Sequence, residues 1–398
     1  MKKPFRGRKI LLFVAANILI ALLLLKGVDS IFGTFVLPST EKARALAEFR
    51  RKDPFYLDRF PGTGSEGNWP PNRYLSWAVW TYEDQTNPHV NIVGGFRPSH
   101  EPSCAGTARN KTAWFFGGST MLGLGSPEDF TIPSLTCKEL QARDPKTCWR
   151  CKNFGMEAYV SSQELVLFYR LLKEADLGRR DRPDLAVFYD GVNELHAAVE
   201  GTPLEHLYFA PVAEMMQDPE EAPLRYWLKG LSGWIVDRVT GFFGGNILEF
   251  ARAGRSEPPL SAERIASHLE VLAKQYAFNY RLMSELASAE GIDVLFFLQP
   301  SLFDKKPLSE YERWNLGHGD LRGLKFEGEL GTLWSRFAAT VGQQRFKATR
   351  DSRFLSLRDS FVGASQSVFH LPNDWNHMNW HGNTLIARRI AGQILTIR

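Results

Sequence analysis

The hydrophobic positions of the chain begin as one solid block. Residues 10–25 (ILLFVAANILIALLLL) carry no charge. Continued to Ile31, the block reaches the roughly 17–25 residues that span a bilayer, with Lys26 able to snorkel to the interface. Residues 39–52 (STEKARALAEFRRK) predict a charged helix, a stalk leaving the membrane. From Asp53 to about Lys111 the chain is rich in Pro, Gly, Asn and aromatics without a period, which predicts an irregular collar.

From Thr112 the pattern changes to short apolar runs separated by stretches of helical period. Strands are predicted over 112–116 (TAWFF), 152–155 (KNFG), 184–189 (DLAVFY), 293–298 (DVLFFL) and 354–357 (FLSL). Helices are predicted over 132–142, over 161–175 and from Thr384 to the end. Another runs from Ser261 to just before Gly291, with Ile265, Leu269, Leu272, Tyr276 and Met283 on one face. Strands alternating with helices specify an α/β fold: three layers, α/β/α, around a central parallel sheet of flavodoxin-like kind. One N-terminal transmembrane helix precedes it. Residues 197–260 are long for a connection and read as an insertion. Its aromatics, among them Trp227, Trp234 and Phe242, suit either packing on the sheet or a lid.

Composition adds a topology. Of 398 residues, 44% are hydrophobic and 23% charged, which excludes a mainly disordered chain. The net charge is +4, but five of the 48 Lys+Arg fall in the first nine residues, leaving 43 against 44 acidic residues beyond them. The surplus is a terminal cluster, so no nucleic-acid partner is expected. Cations ahead of an apolar span stay on the cytoplasmic side. The expectation is a single-pass protein of the inner (cytoplasmic) membrane: 1–9 a cytoplasmic tail, 10–31 a signal anchor, 32–111 stalk and collar. Residues 112–398 then form an extracytoplasmic, periplasmic domain. A cleaved signal peptide is the alternative, although no A-x-A-like site follows Leu25.

All four cysteines, Cys104, Cys137, Cys148 and Cys151, lie in the exported part and predict disulfides, with three connectivities open. Cys148-Trp-Arg-Cys151 lacks a second cysteine or histidine pair, so neither zinc nor any other cofactor is expected.

In such sheets function sits at the carboxyl ends of the strands. Ser119 follows the first strand after two glycines, which let a tight turn present the hydroxyl. Gly155 ends the second strand, where a missing side chain leaves the backbone N–H accessible. Asn193, in Gly191-Val-Asn193, follows the third and offers an amide donor. Asp374-Trp-Asn-His377 places a carboxylate and an imidazole three residues apart before the last helix. His381 is a competing base, but it falls on the approach to the final helix and is assigned no catalytic role. Gln299-Pro300 ends the fourth strand, and Lys305 and Lys306 beyond it are candidate substrate contacts. Nucleophile, base, orienting acid and three oxyanion donors are what acyl transfer requires.

These blocks resemble the SGNH (GDSL-like) hydrolase superfamily over roughly residues 112–398. The first reads Phe116-Gly117-Gly118-Ser119-Thr120, with Gly118 where Asp is common. The second is Asn153-Phe154-Gly155. The third is Gly191-Val192-Asn193-Glu194, with Glu where Asp is common. The last is Asp374-x-x-His377, leading through Gly382 and Asn383 into the closing helix. The departures at Gly118 and Glu194 bear on substrate type. The resemblance implies that Ser119 attacks an ester carbonyl, His377 takes its proton and Asp374 holds the imidazole tautomer. The Ser119 and Gly155 N–H groups and the Asn193 amide would stabilise the oxyanion.

The function expected is a membrane-anchored extracytoplasmic serine esterase acting on acyl, notably acetyl, esters, with an ester-bearing partner such as an acylated glycan. An O-acyltransferase modifying an exported polysaccharide uses the same residues and is the first alternative. A non-catalytic glycan-binding or assembly protein is the second.

Overall fold

A computed structural model describes scattered residues between 17 and 34, then 70–86, 90–104, 109–200, 262–321, 323–343, 352–369 and 373–397. The chain divides into two compact units, and the one described below comprises residues 52–209 and 258–398. Residues 201–260 of the aromatic insertion and the stalk lie outside the described residues, as do 10–16, 18, 19 and 22 of the apolar block over 10–31. Among the described residues, no helix is long and apolar enough to cross a membrane.

Five strands form one parallel sheet: β3 (Arg109–Gly117), β4 (Thr147–Asn153), β5 (Leu185–Asp190), β6 (Asp293–Leu298) and β9 (Ser352–Ser356). Their order is β4-β3-β5-β6-β9. All six residues of β5 and the last five of β6 are buried, the continuous apolar signature of strands covered on both faces. Parallel register sets Phe116 opposite Phe188 and Phe188 opposite Phe296. Their rings stack across the strands with centroids 4.7 and 5.2 Å apart. Tyr280, from a crossing helix, continues the stack on Phe296 at 4.2 Å. Each such pair contributes about 0.5–1.5 kcal/mol beyond its area burial.

The helices are α1 (Ser119–Leu122), α2 (Ile132–Arg143), α3 (Ser161–Asp176), α4 (Val192–Glu200), α5 (Ala262–Ala289), α6 (Glu310–His318), α7 (Gly331–Gln343) and α8 (Trp380–Ile394). They flank the sheet in two groups: α8 packs on α2, while α5 packs on α3, α4 and α7. The strand at 152–155 was expected too late. β4 runs over 147–153, with its polar and cysteine positions paired to β3 from Arg109 to Phe115. The closing helix begins four residues before the expected Thr384, because Asn379 caps it by accepting from the N–H groups of His381 and Gly382.

The collar contributes an antiparallel hairpin, β1 (Asn72–Leu75) and β2 (Val79–Tyr82). A second short ribbon, β7 (Asp320–Leu321) with β8 (Leu324–Lys325), lies beyond α6. A disulfide joins Cys104 of the collar to Cys148 of β4, while Cys137 and Cys151 are buried free thiols.

Candidate active site

In the sheet, the chain steps from β3 outward to β4 and then returns to β5 on the other side of β3. The carboxyl ends of β3 and β5 therefore flank a crevice where connections diverge, the place where α/β sheets bind ligands. Ser119 follows β3 and Asn193 follows β5. Gly118 lies between them for a packing reason. A Cβ there would come within 2.3 Å of the Asn193 amide nitrogen. The Asn193 Nδ2 donates to the Tyr159 carbonyl at 2.7 Å, which fixes its side chain and leaves its second N–H for another acceptor.

Ser119 opens α1, a single turn. The collar residue Arg97 secures the far end of that turn by donating to the carbonyls of Leu122, Gly123 and Ser126 at 3.2, 2.6 and 2.7 Å. Arg97 is buried, and burial lowers its pKa to about 10 despite the nearby Glu128 carboxylate.

The base comes from the other end of the chain. His377 Nε2 lies 2.6 Å from Ser119 Oγ across 258 residues of sequence. His377 Nδ1 lies 2.5 Å from Asp374 Oδ2. Asp374 Oδ1 accepts from the backbone N–H groups of Asn376 and His377, both at 2.9 Å. The three-residue spacing thus closes a local turn on the carboxylate. The turn is clamped from behind by Asn315 of α6. Its Nδ2 donates to the Asp374 carbonyl at 2.6 Å, and its Oδ1 accepts from the Asn373 N–H at 2.9 Å.

Burial alone would push the Asp374 carboxyl up. The His377 charge and the hydrogen bonds from His377 and Asn376 outweigh it and hold Asp374 below its ordinary value. For His377, burial lowers the pKa, but the Asp374 carboxylate, and less strongly that of Glu157, raise it overall. An ionised Asp374 only accepts, so Nδ1 carries a proton toward it. Nε2 is then the acceptor for the Ser119 hydroxyl. The side chains of His377 and Asp374 are 13% and 16% exposed, so the pair is sheltered yet reachable.

Ser119, Asn193, His377 and Asp374 line a cavity of about 220 Å³, together with Glu157 and Ala158. Gly155 does not line it. Its N–H donates to Asn153 Oδ1 at 2.9 Å, and a Cβ there would meet the backbone N of Leu122 at 2.3 Å. The expected role of Gly155 as an oxyanion donor is therefore corrected: it is glycine so that β4 can press against the Ser119 turn, and its N–H is already used. The cavity wall is Ala158, three residues on. Ala158 has φ +58 in a turn closed by Tyr159 N–H on the Met156 carbonyl. Among the described residues, no acceptor is bonded to the Ala158 N–H. Alanine in a left-handed position has no sequence signature, so nothing in the chain flagged it.

Neither His381 nor the candidate substrate contact Lys305 lines the cavity. His381 lies in the first turn of α8, stacked on Trp380. Lys305 is buried and ion-paired with Glu312 at 2.7 Å, which rules it out as a substrate contact. Among the described residues, no group of three or more His, Cys, Asp or Glu could hold a metal ion.

No family model matches the chain, and no curated protein matches it. Solved structures match at low identity. An acetyl xylan esterase, AlAXEase, is 13% identical over 71% of this chain and 99% of its own, with a TM-score of 0.33. A catalytic mutant of Axe2, an acetylxylan esterase from Geobacillus stearothermophilus, is 11% identical over 72% and 95%, with a TM-score of 0.40. TesA is 15% identical over 71% and 98%, with a TM-score of 0.35.

Proposed function

We propose that this chain is a serine hydrolase of the SGNH type that cleaves small acyl esters, acetate foremost. The supporting observation is the hydrogen-bonded chain from Ser119 through His377 to Asp374, which opens on a cavity beside Asn193. His377 Nε2 takes the Ser119 proton as Oγ bonds to the acyl carbon, and Asp374 stabilises the imidazolium that forms. The carbonyl oxygen becomes an oxyanion facing the free N–H of Asn193 and the backbone N–H groups of Ser119 and Ala158. Collapse expels the alcohol, which takes the proton from His377. Water, activated by the same imidazole, then releases the acid. The cation-flanked apolar block over 1–31 supports a protein tethered to the cytoplasmic membrane with this domain on the outer side.

The test is Ser119→Ala. It should abolish both hydrolysis of a chromogenic acetate ester and labelling by a fluorophosphonate. Labelling retained at another serine overturns the assignment.

A further inference from the structure

Among the described residues, the cavity lining holds one charged side chain that the catalytic steps do not use and that forms no ion pair. Glu157 is exposed at the wall, next to Ala158 and within electrostatic reach of His377. It is nonetheless fixed. The Tyr82 hydroxyl donates to Glu157 Oε2 at 2.8 Å, and the Trp80 indole N–H donates to the Glu157 carbonyl at 3.3 Å. The Tyr159 hydroxyl in turn donates to the Trp80 carbonyl. All these contacts come from β2 of the collar, so a segment outside the sheet domain sets the position of a carboxylate inside the cavity. Asp320 adds a second carboxylate to the lining, but it has Lys325 at 4.0 Å. Among the described residues, no lysine or arginine lines the cavity.

We propose that Glu157, held by Tyr82, is the charge-selecting residue of this site: it favours esters of uncharged or cationic alcohols and rejects those carrying a negative charge near the scissile bond. The proposal rests on the hydrolase reading above. A fixed charge in the wall of the cavity acts on every ligand that enters. Juxtaposed like charges are one way for a site to refuse a partner.

The test uses the whole chain and three aryl acetates: 4-acetoxybenzoate, 4-acetoxybenzamide and (4-acetoxyphenyl)trimethylammonium, which are anionic, neutral and cationic. Each kcat/KM is referred to the neutral ester, so that differences in intrinsic reactivity cancel between variants. Glu157→Gln keeps an acceptor for Tyr82 and removes only the charge. It should raise the anionic-to-neutral ratio about tenfold and lower the cationic-to-neutral ratio, with both changes shrinking at high salt. Tyr82→Phe, which frees the carboxylate, should shift both ratios part of the way. Ratios that do not move in Glu157→Gln, while the enzyme still turns over the neutral ester and Ser119 is still labelled by a fluorophosphonate, overturn the charge selection alone. Absence of both turnover and labelling in the wild-type chain overturns the hydrolase reading, and this proposal with it.

Discussion

Asp374→Asn separates the chemistry of the site from its shape. Asp374 uses its two oxygens differently: Oδ1 holds two backbone N–H groups at 2.9 Å, and Oδ2 meets His377 Nδ1 at 2.5 Å. An asparagine keeps its oxygen on the two backbone donors, because its NH2 cannot accept from them. The NH2 then faces Nδ1 and only donates. The imidazole must turn Nδ1 into an acceptor and carry its proton on Nε2, 2.6 Å from Ser119 Oγ. A protonated Nε2 cannot receive the serine proton. The fold is retained and the base is lost, so kcat should fall by about 10⁴. That corresponds to about 5.5 kcal/mol of transition-state stabilisation.

The same substitution has a pH signature. The Asp374 carboxylate raises the His377 pKa above its ordinary value. A base works when deprotonated, so wild-type kcat/KM rises with pH through that elevated value, and removing the carboxylate moves the acid limb to lower pH. The assay is the pH profile of kcat/KM on a chromogenic acetate, run beside the fluorophosphonate labelling rate. Activity within about tenfold of wild type, or an acid limb that stays in place, would refute the reasoning.

Two further outcomes concern stability. Glu164, Asp190 and Glu194 are buried together behind Asn193, and Glu194 accepts from the Ser161 N–H at 2.7 Å. Burial, with Asp190 adding to it, pushes Glu194 up to about 7, and burial pushes Asp190 up to about 6. Raised carboxyls bind more protons folded than unfolded, so their contribution is fully present below their unfolded pKa and lost as pH rises through the folded values. For Glu194 the loss is about 3 kcal/mol at 1.36 kcal/mol per unit. Glu194→Gln, which keeps the acceptor for Ser161, should flatten the decline, gaining stability over wild type at about pH 8 but not at about pH 4. Urea midpoints across that range are the measurement, and parallel curves for the two proteins would sink the idea. Ala158→Gly should relieve about 1–2 kcal/mol of left-handed strain and lose about 0.4–1 kcal/mol to the freer unfolded chain. A net gain of about 0.5–1 kcal/mol in urea unfolding is expected, and a destabilised variant would contradict the strain.

The sequence alone determined whatever depends on neighbours within a few residues. The period of apolar positions placed β6 at 293–298 as observed and α5 to within a residue of its ends, because burial on two faces or on one stripe is written locally. It placed Ser119 and Asn193 at strand ends. It also paired Asp374 with His377, whose spacing closes the turn that joins them. Helix α6, mixed in polarity, carries no comparably clear stripe, whereas α7 buries Trp334, Phe337, Ala338 and Val341 at helical spacing, a signal present in the sequence but absent from the predicted elements. Tertiary structure decided what sequence distance hides. Ser119 and His377 become a pair only when the sheet and α8 bring their ends together. Arg97 and Tyr82, in a collar without pattern, turn out to hold the serine turn and the Glu157 carboxylate. Ala158 rather than Gly155 lines the cavity, and the Gly155 N–H is taken by Asn153 Oδ1, because the availability of a backbone N–H depends on dihedral angles and on which acceptor claims it first. Residue type specifies neither, and only the packed chain does.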